Sequence, residues 1–113
     1  MPSRYNRPMQ DIIRQHEDEL TALCRRFRVL HLDAFGSAVS GRFDPSRSDL
    51  DFLVEFQPMS PEAYADAWFG LLQGLESLFT RQVDLVTVRS MKNPYFAQSV
   101  NATKETLFAA DAA

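Results

Sequence analysis

Phe35-Gly36-Ser37-Ala38-Val39-Ser40-Gly41, and then Ser48-Asp49-Leu50-Asp51-Phe52-Leu53-Val54-Glu55-Phe56, are the segments whose reading decides the fold. The second alternates. Leu50, Phe52, Val54 and Phe56 fall on one face of a strand and Asp49, Asp51, Leu53 and Glu55 on the other, because side chains alternate along extended backbone. The first begins where a mostly apolar run, Val29 to Phe35, is closed by Gly36, which reads as a strand ending in a turn. Ser37 to Gly41 has the length of one tight helical turn. Between the two, Arg42 to Ser48 contains Asp44-Pro45-Ser46 and reads as a loop.

Working outward, the stretch before the first strand carries apolar residues at helical spacing: Met9, Ile12, Ile13, His16, Leu20, Leu23, Cys24 and Phe27. Residues 1–7 read as a loose, flexible arm. On the other side, Ser60-Pro61-Glu62 is a helix start, with a hydroxyl cap, a proline at the first position and an acid in the first turn. Tyr64, Trp68, Leu71, Leu72, Leu75, Leu78 and Phe79 continue it as a broad apolar stripe, within which Gly70 and Gly74 permit close packing. Val83 to Val88 reads as a third strand with Asp84 near its start. Asn93-Pro94 opens a last helix expected to carry Phe96, Val100, Leu107 and Phe108. The order helix, strand, strand, helix, strand, helix predicts an α/β or α+β domain, a small mixed β-sheet packed by helices.

Bulk properties set the boundaries. The 113 residues make one domain, 1–113, with 45% hydrophobic residues to fill a single core. A formal net charge of −3 speaks against a strong nonspecific grip on nucleic acid, which needs a basic face. Arg25, Arg26 and Arg28 cluster, but cations near a helix C-terminus are favourable on their own account. The lone Cys24 cannot form an internal disulfide and, lying in an apolar stripe, reads as a core residue. No run is long and apolar enough to span a membrane, and residues 1–4 lack the apolar core of a signal peptide, so a cytoplasmic location is expected.

Asp49 and Asp51 project from one face of one strand, where like charges repel. A divalent cation compensates such a pair, and carboxylate oxygens suit Mg²⁺, which takes its remaining ligands from water and substrate phosphates. Asp84 becomes a third ligand if its strand lies beside the Asp49–Asp51 strand. Taken alone, Asp-x-Asp is common on an exposed strand face. Gly36-Ser37 adds a place where backbone approaches closely and where N–H groups and a hydroxyl can bind phosphate oxygens. The pattern is neither a Walker A loop nor Gly-x-Gly-x-x-Gly, and no His/Cys cluster has zinc spacing. His16 and His31 read as structural, and Trp68 and Phe69 as core or packing residues.

The combination of Gly36-Ser37, a spacer and Asp49-x-Asp51, with Asp84 in Val83-Asp84-Leu85-Val86, resembles the DNA polymerase β-like nucleotidyltransferase superfamily, and within it the minimal nucleotidyltransferase (MNT) antitoxin branch. The resemblance covers the chain from about Val29 to the C-terminus. It implies the polymerase β-like nucleotidyltransferase fold and a Mg²⁺-dependent transfer of AMP from ATP to an acceptor. In that scheme Gly36 and Ser37 hold the triphosphate, and Asp49, Asp51 and Asp84 are the catalytic, metal-binding acids. Stand-alone members resemble antitoxins encoded with HEPN-type ribonuclease toxins, so an HEPN-type toxin is the expected partner, adenylylated on tyrosine and thereby neutralised. Two other outcomes stay open: a non-catalytic toxin-binding module with a vestigial nucleotide site, and a transferase for small molecules of the aminoglycoside type, whose acceptor wall a homo-oligomer could supply. Ser40 departs from the arginine that many members place before the glycine matched by Gly41.

Overall fold

The structure, a computed structural model, describes residues 13, 15–35, 50–90, 98 and 104–110. Helix α1 spans Glu17–Arg26, β1 Val29–Phe35, β2 Leu50–Phe56, α2 Pro61–Phe79, β3 Val83–Thr87 and β4 Glu105–Ala109, with a single 3₁₀ turn at Val88–Ser90. The expected arm over 1–7, the tight turn from Ser37 to Gly41 and the loop from Arg42 to Ser48 lie outside the described residues. So does the helix opened by Asn93-Pro94, except that Gln98 is helical.

The alternation in Leu50–Phe56 does what its pattern predicts. Leu50, Phe52, Val54 and Phe56 all enter the main core, where they meet Leu20 and Cys24 of α1 and Leu71, Leu75 and Phe79 of α2. Each such large side chain taken from water contributes roughly 1.5–3 kcal/mol. Both helices therefore lie on one face of the sheet. On the other face the described residues form a small cluster, Phe35 and Leu53 with Val86 against them.

Four strands make one sheet in the order β3-β2-β1-β4. β1 runs antiparallel to β2 and β4, whereas β2 and β3 are parallel, as a crossover through α2 requires. α2 begins as expected: Ser60 Oγ accepts a hydrogen bond from Ala63 N at 3.2 Å, and Pro61 occupies the first turn. It ends at Thr80, whose φ of 51° turns the chain back toward β3. Gly70 and Gly74 do permit close approach. A Cβ on Gly74 would sit 2.6 Å from Leu23 Cδ2, and one on Gly70 would run into the Phe27 ring.

Three expectations need correction. Leu107 and Phe108 belong to a strand, β4, and not to a helix. Their spacing from Phe96 and Val100 suits a helix, but the free edge of β1 offers unpaired backbone groups, and pairing His31 with Ala109 and Leu32 with Phe108 satisfies them. The first helix is interrupted at His16, whose backbone leaves helical geometry and whose ring meets Phe79 edge-on at 5.6 Å. Finally, Phe69 is not a core residue: it is 58% exposed, with Trp68 against its ring.

Candidate active site

The parallel register of β2 and β3 sets Asp51 directly beside Asp84, then Leu53 beside Val86. Both acids point to the face opposite α1 and α2, since their neighbours Leu50, Phe52, Val83 and Leu85 point into the main core. Asp51 is half-buried and Asp84 exposed. Neighbouring strands are about 4.8 Å apart, so two carboxylates paired across them repel unless a cation lies between. On β1, Phe35 pairs with Asp51. The chain therefore leaves β1 toward Gly36 level with the two acids, and it enters β2 at Leu50 directly after Asp49.

Of the five residues expected to form the site, the structure brings Asp51 and Asp84 together; Gly36, Ser37 and Asp49 lie outside the described residues. Among the described residues no group of three His, Cys, Asp or Glu side chains could hold a metal ion by itself. The donor set nevertheless fits Mg²⁺. Two hard carboxylates stand side by side on the face opposite α1 and α2, and a small octahedral cation needs only one or two protein carboxylates once substrate phosphates and water complete its shell.

One acid on this face was not singled out in the sequence. Asp33, paired across the sheet with Leu53, is only 2% exposed. Its Oδ2 lies 3.0 Å from His31 Nδ1 and 4.0 Å from Lys104 Nζ, while Oδ1 has no hydrogen-bond partner among the described residues. The signal was present as His31-x-Asp33-x-Phe35, an alternation on the same face as Asp51. It also gives His31 the structural role expected of it. A hollow of about 250 Å³ lined by Leu30, Phe56, Met59, Tyr64 and Val88 lies at the far, C-terminal end of β2. With Glu55 as its one carboxylate, it lacks the paired acids that a metal-nucleotide site needs.

Comparison with known proteins agrees with this geometry. The nucleotidyltransferase domain family matches residues 17–108. A protein of Methanocaldococcus jannaschii named as a candidate protein adenylyltransferase is 29% identical over 92 residues, covering 81% of this chain and 87% of that protein. A crystal structure of a toxin–antitoxin with AMP-PNP is similar at a TM-score of 0.62 and 26% identity, over 84% of this chain and 74% of that one. A solved structure described as a minimal nucleotidyltransferase gives a TM-score of 0.61 at 26% identity, over 84% of this chain and 92% of the other.

Proposed function

This chain belongs to the nucleotidyltransferase domain family, and from that premise we propose that it is the antitoxin of a toxin–antitoxin pair that transfers AMP from ATP onto an HEPN-type toxin. The observation that carries the reading is the pairing of Asp51 with Asp84 on the sheet face opposite α1 and α2, level with the exit of β1 toward Gly36-Ser37. Its similarity to a candidate protein adenylyltransferase and to a toxin–antitoxin structure containing AMP-PNP supports the choice of nucleotide and partner.

Asp51, Asp84 and Asp49 would hold Mg²⁺, which neutralises triphosphate charge and polarises the phosphoryl oxygens when bound. Gly36 and Ser37 would bind phosphate oxygens through backbone N–H groups and a hydroxyl. A hydroxyl oxygen of the acceptor forms a bond to the α-phosphorus. The bond from that phosphorus to the bridging oxygen breaks, and its electron pair leaves with pyrophosphate. Asp84, the exposed member of the pair, takes the hydroxyl proton and passes it to water. Most of the acceleration comes from holding the reactants in line and balancing their charge.

The test is titration of ATP with Mg²⁺ into the wild type and into the Asp49→Asn/Asp51→Asn variant. Metal-dependent binding by the wild type, lost in the variant, is the expected result. AMP transfer to a co-purified toxin should then fall by about 10²–10³-fold or more. Full transfer by the variant would refute the assignment. Full neutralisation without transfer would leave a binding module.

A further inference from the structure

Among the described strands β3 lies at an edge, with β2 as its one neighbour. Leu50 N donates to Gln82 O across the β2–β3 pair, so Gln82, Asp84 and Val86 turn their backbone groups toward β2. Val83, Leu85 and Thr87 then turn theirs outward, where an edge strand ordinarily meets water. Here each of the three has one of its two outward groups engaged. Glu76 Oε2 accepts a hydrogen bond from Val83 N at 3.2 Å, Trp68 Nε1 donates to Leu85 O at 3.2 Å, and Ser90 Oγ donates to Thr87 O at 2.9 Å. Glu76 and Trp68 both come from α2, two turns apart, and the residues they hold are the two peptide neighbours of Asp84.

We infer that Glu76 and Trp68 are positioning residues that clamp the Asp84 segment of β3 and so fix the Asp84 carboxylate beside Asp51. The inference rests on the nucleotidyltransferase reading of the acid pair and adds two residues to it that touch neither metal nor nucleotide. A strand with neighbours on both sides has its register held twice. β3 has one neighbour, and α2 supplies the second set of ties. Because Asp84 is exposed, its position depends on its backbone. A small slide or twist of β3 would move that carboxylate away from Asp51. The two ties also differ in chemistry, which makes them separable: one is a neutral indole donor, the other a carboxylate acceptor.

The experiment uses the full chain as wild type, Trp68→Phe, Glu76→Ala, Glu76→Gln and Asp84→Asn, each checked for folding by circular dichroism. Two quantities are read. The first is amide hydrogen exchange at Asp84 and Val86 in the protein without ligand. The second is affinity for Mn²⁺ in the presence of AMP-PNP. Trp68→Phe keeps a ring in place and removes only the N–H; Glu76→Gln keeps a side-chain oxygen that accepts from Val83 N. Trp68→Phe and Glu76→Ala should speed exchange and weaken Mn²⁺ binding about tenfold or more, as loss of groups that orient metal ligands does. Glu76→Gln should restore both. Unchanged exchange or unchanged Mn²⁺ affinity in folded Trp68→Phe and Glu76→Ala overturns the clamp, as does Glu76→Gln behaving like Glu76→Ala. If Trp68→Phe fails to fold, the Glu76 pair decides. If the wild type binds no Mn²⁺ with AMP-PNP, the functional reading fails instead, and exchange alone decides whether the segment is clamped.

Discussion

Cys24 has no exposed surface, and burial pushes its thiol from 9.0 up to about 12. A thiolate would lose its hydration there with nothing to replace it. The folded chain therefore holds the proton more tightly than the unfolded chain. Stability from this source is fully present below about pH 9 and is lost as pH rises toward 12. At neutral pH the cysteine should resist a thiol reagent such as dithionitrobenzoate in native buffer and react within minutes in urea; a fast native reaction would show that α1 opens readily. His31 offers a second test at this scale. Its ring nitrogen is the nearest partner of a buried carboxylate. His31→Ala should cost about 1–3 kcal/mol in chemical denaturation, the penalty for leaving Asp33 less satisfied. Single residues were unevenly legible in the sequence. Asp51 and Asp84 could be assigned to strands in advance from alternation and strand boundaries, and their meeting then depended on those strands being neighbours. Asp33 was hidden among apolar neighbours, where burial depends on what packs over the strand. The roles of Trp68 and Glu76 were hidden for another reason: a hydrogen bond from a helix side chain to a strand's backbone leaves no periodic trace.

Elements follow local chemistry where a cap or a turn is written into the chain. Ser60-Pro61 starts α2 at the expected residue, and the serine makes the capping bond. The other end of α2 is less well served. Thr80 is β-branched and sits at φ 51°, in the left-handed region that suits glycine. Thr80→Gly should relieve that strain and raise stability by about 0.5–1 kcal/mol, after the greater chain entropy of glycine in the unfolded state is counted. A thermal melt reads this directly, and a lower midpoint would mean that the Thr80 hydroxyl bond to Phe79 O, 2.7 Å long, matters more than the strain. β4 shows the opposite case. Phe96, Val100, Leu107 and Phe108 match a helical period, yet residues 105–109 are a strand because β1 has an edge to be paired. A periodicity argument weighs only the segment itself; the competing stabilisation lay about seventy residues earlier in the chain.

At the scale of the molecule, strand order was the part that the sequence withheld. Parallel pairing of β2 with β3 and antiparallel pairing of β1 with both β2 and β4 are long-range choices, and no local signal encodes them. The order has a measurable consequence. β1 and β2 are paired on both sides and buried against both helices, so their amides should exchange slowest, with β4 fastest of the four strands. Equal rates across the sheet would contradict this architecture. The occupied outer groups of β3 carry a further implication, for growth rather than for catalysis. Sheets polymerise when each molecule offers two receptive rims, one to bind and one to be bound. Here half of the outward groups along the β3 rim already have partners, and among the described strands β4 forms the other rim. If copies of this chain join rim to rim, β4 is the more receptive rim, and β4 meeting β4 consumes both at once, which favours a chain-terminated dimer over a fibre.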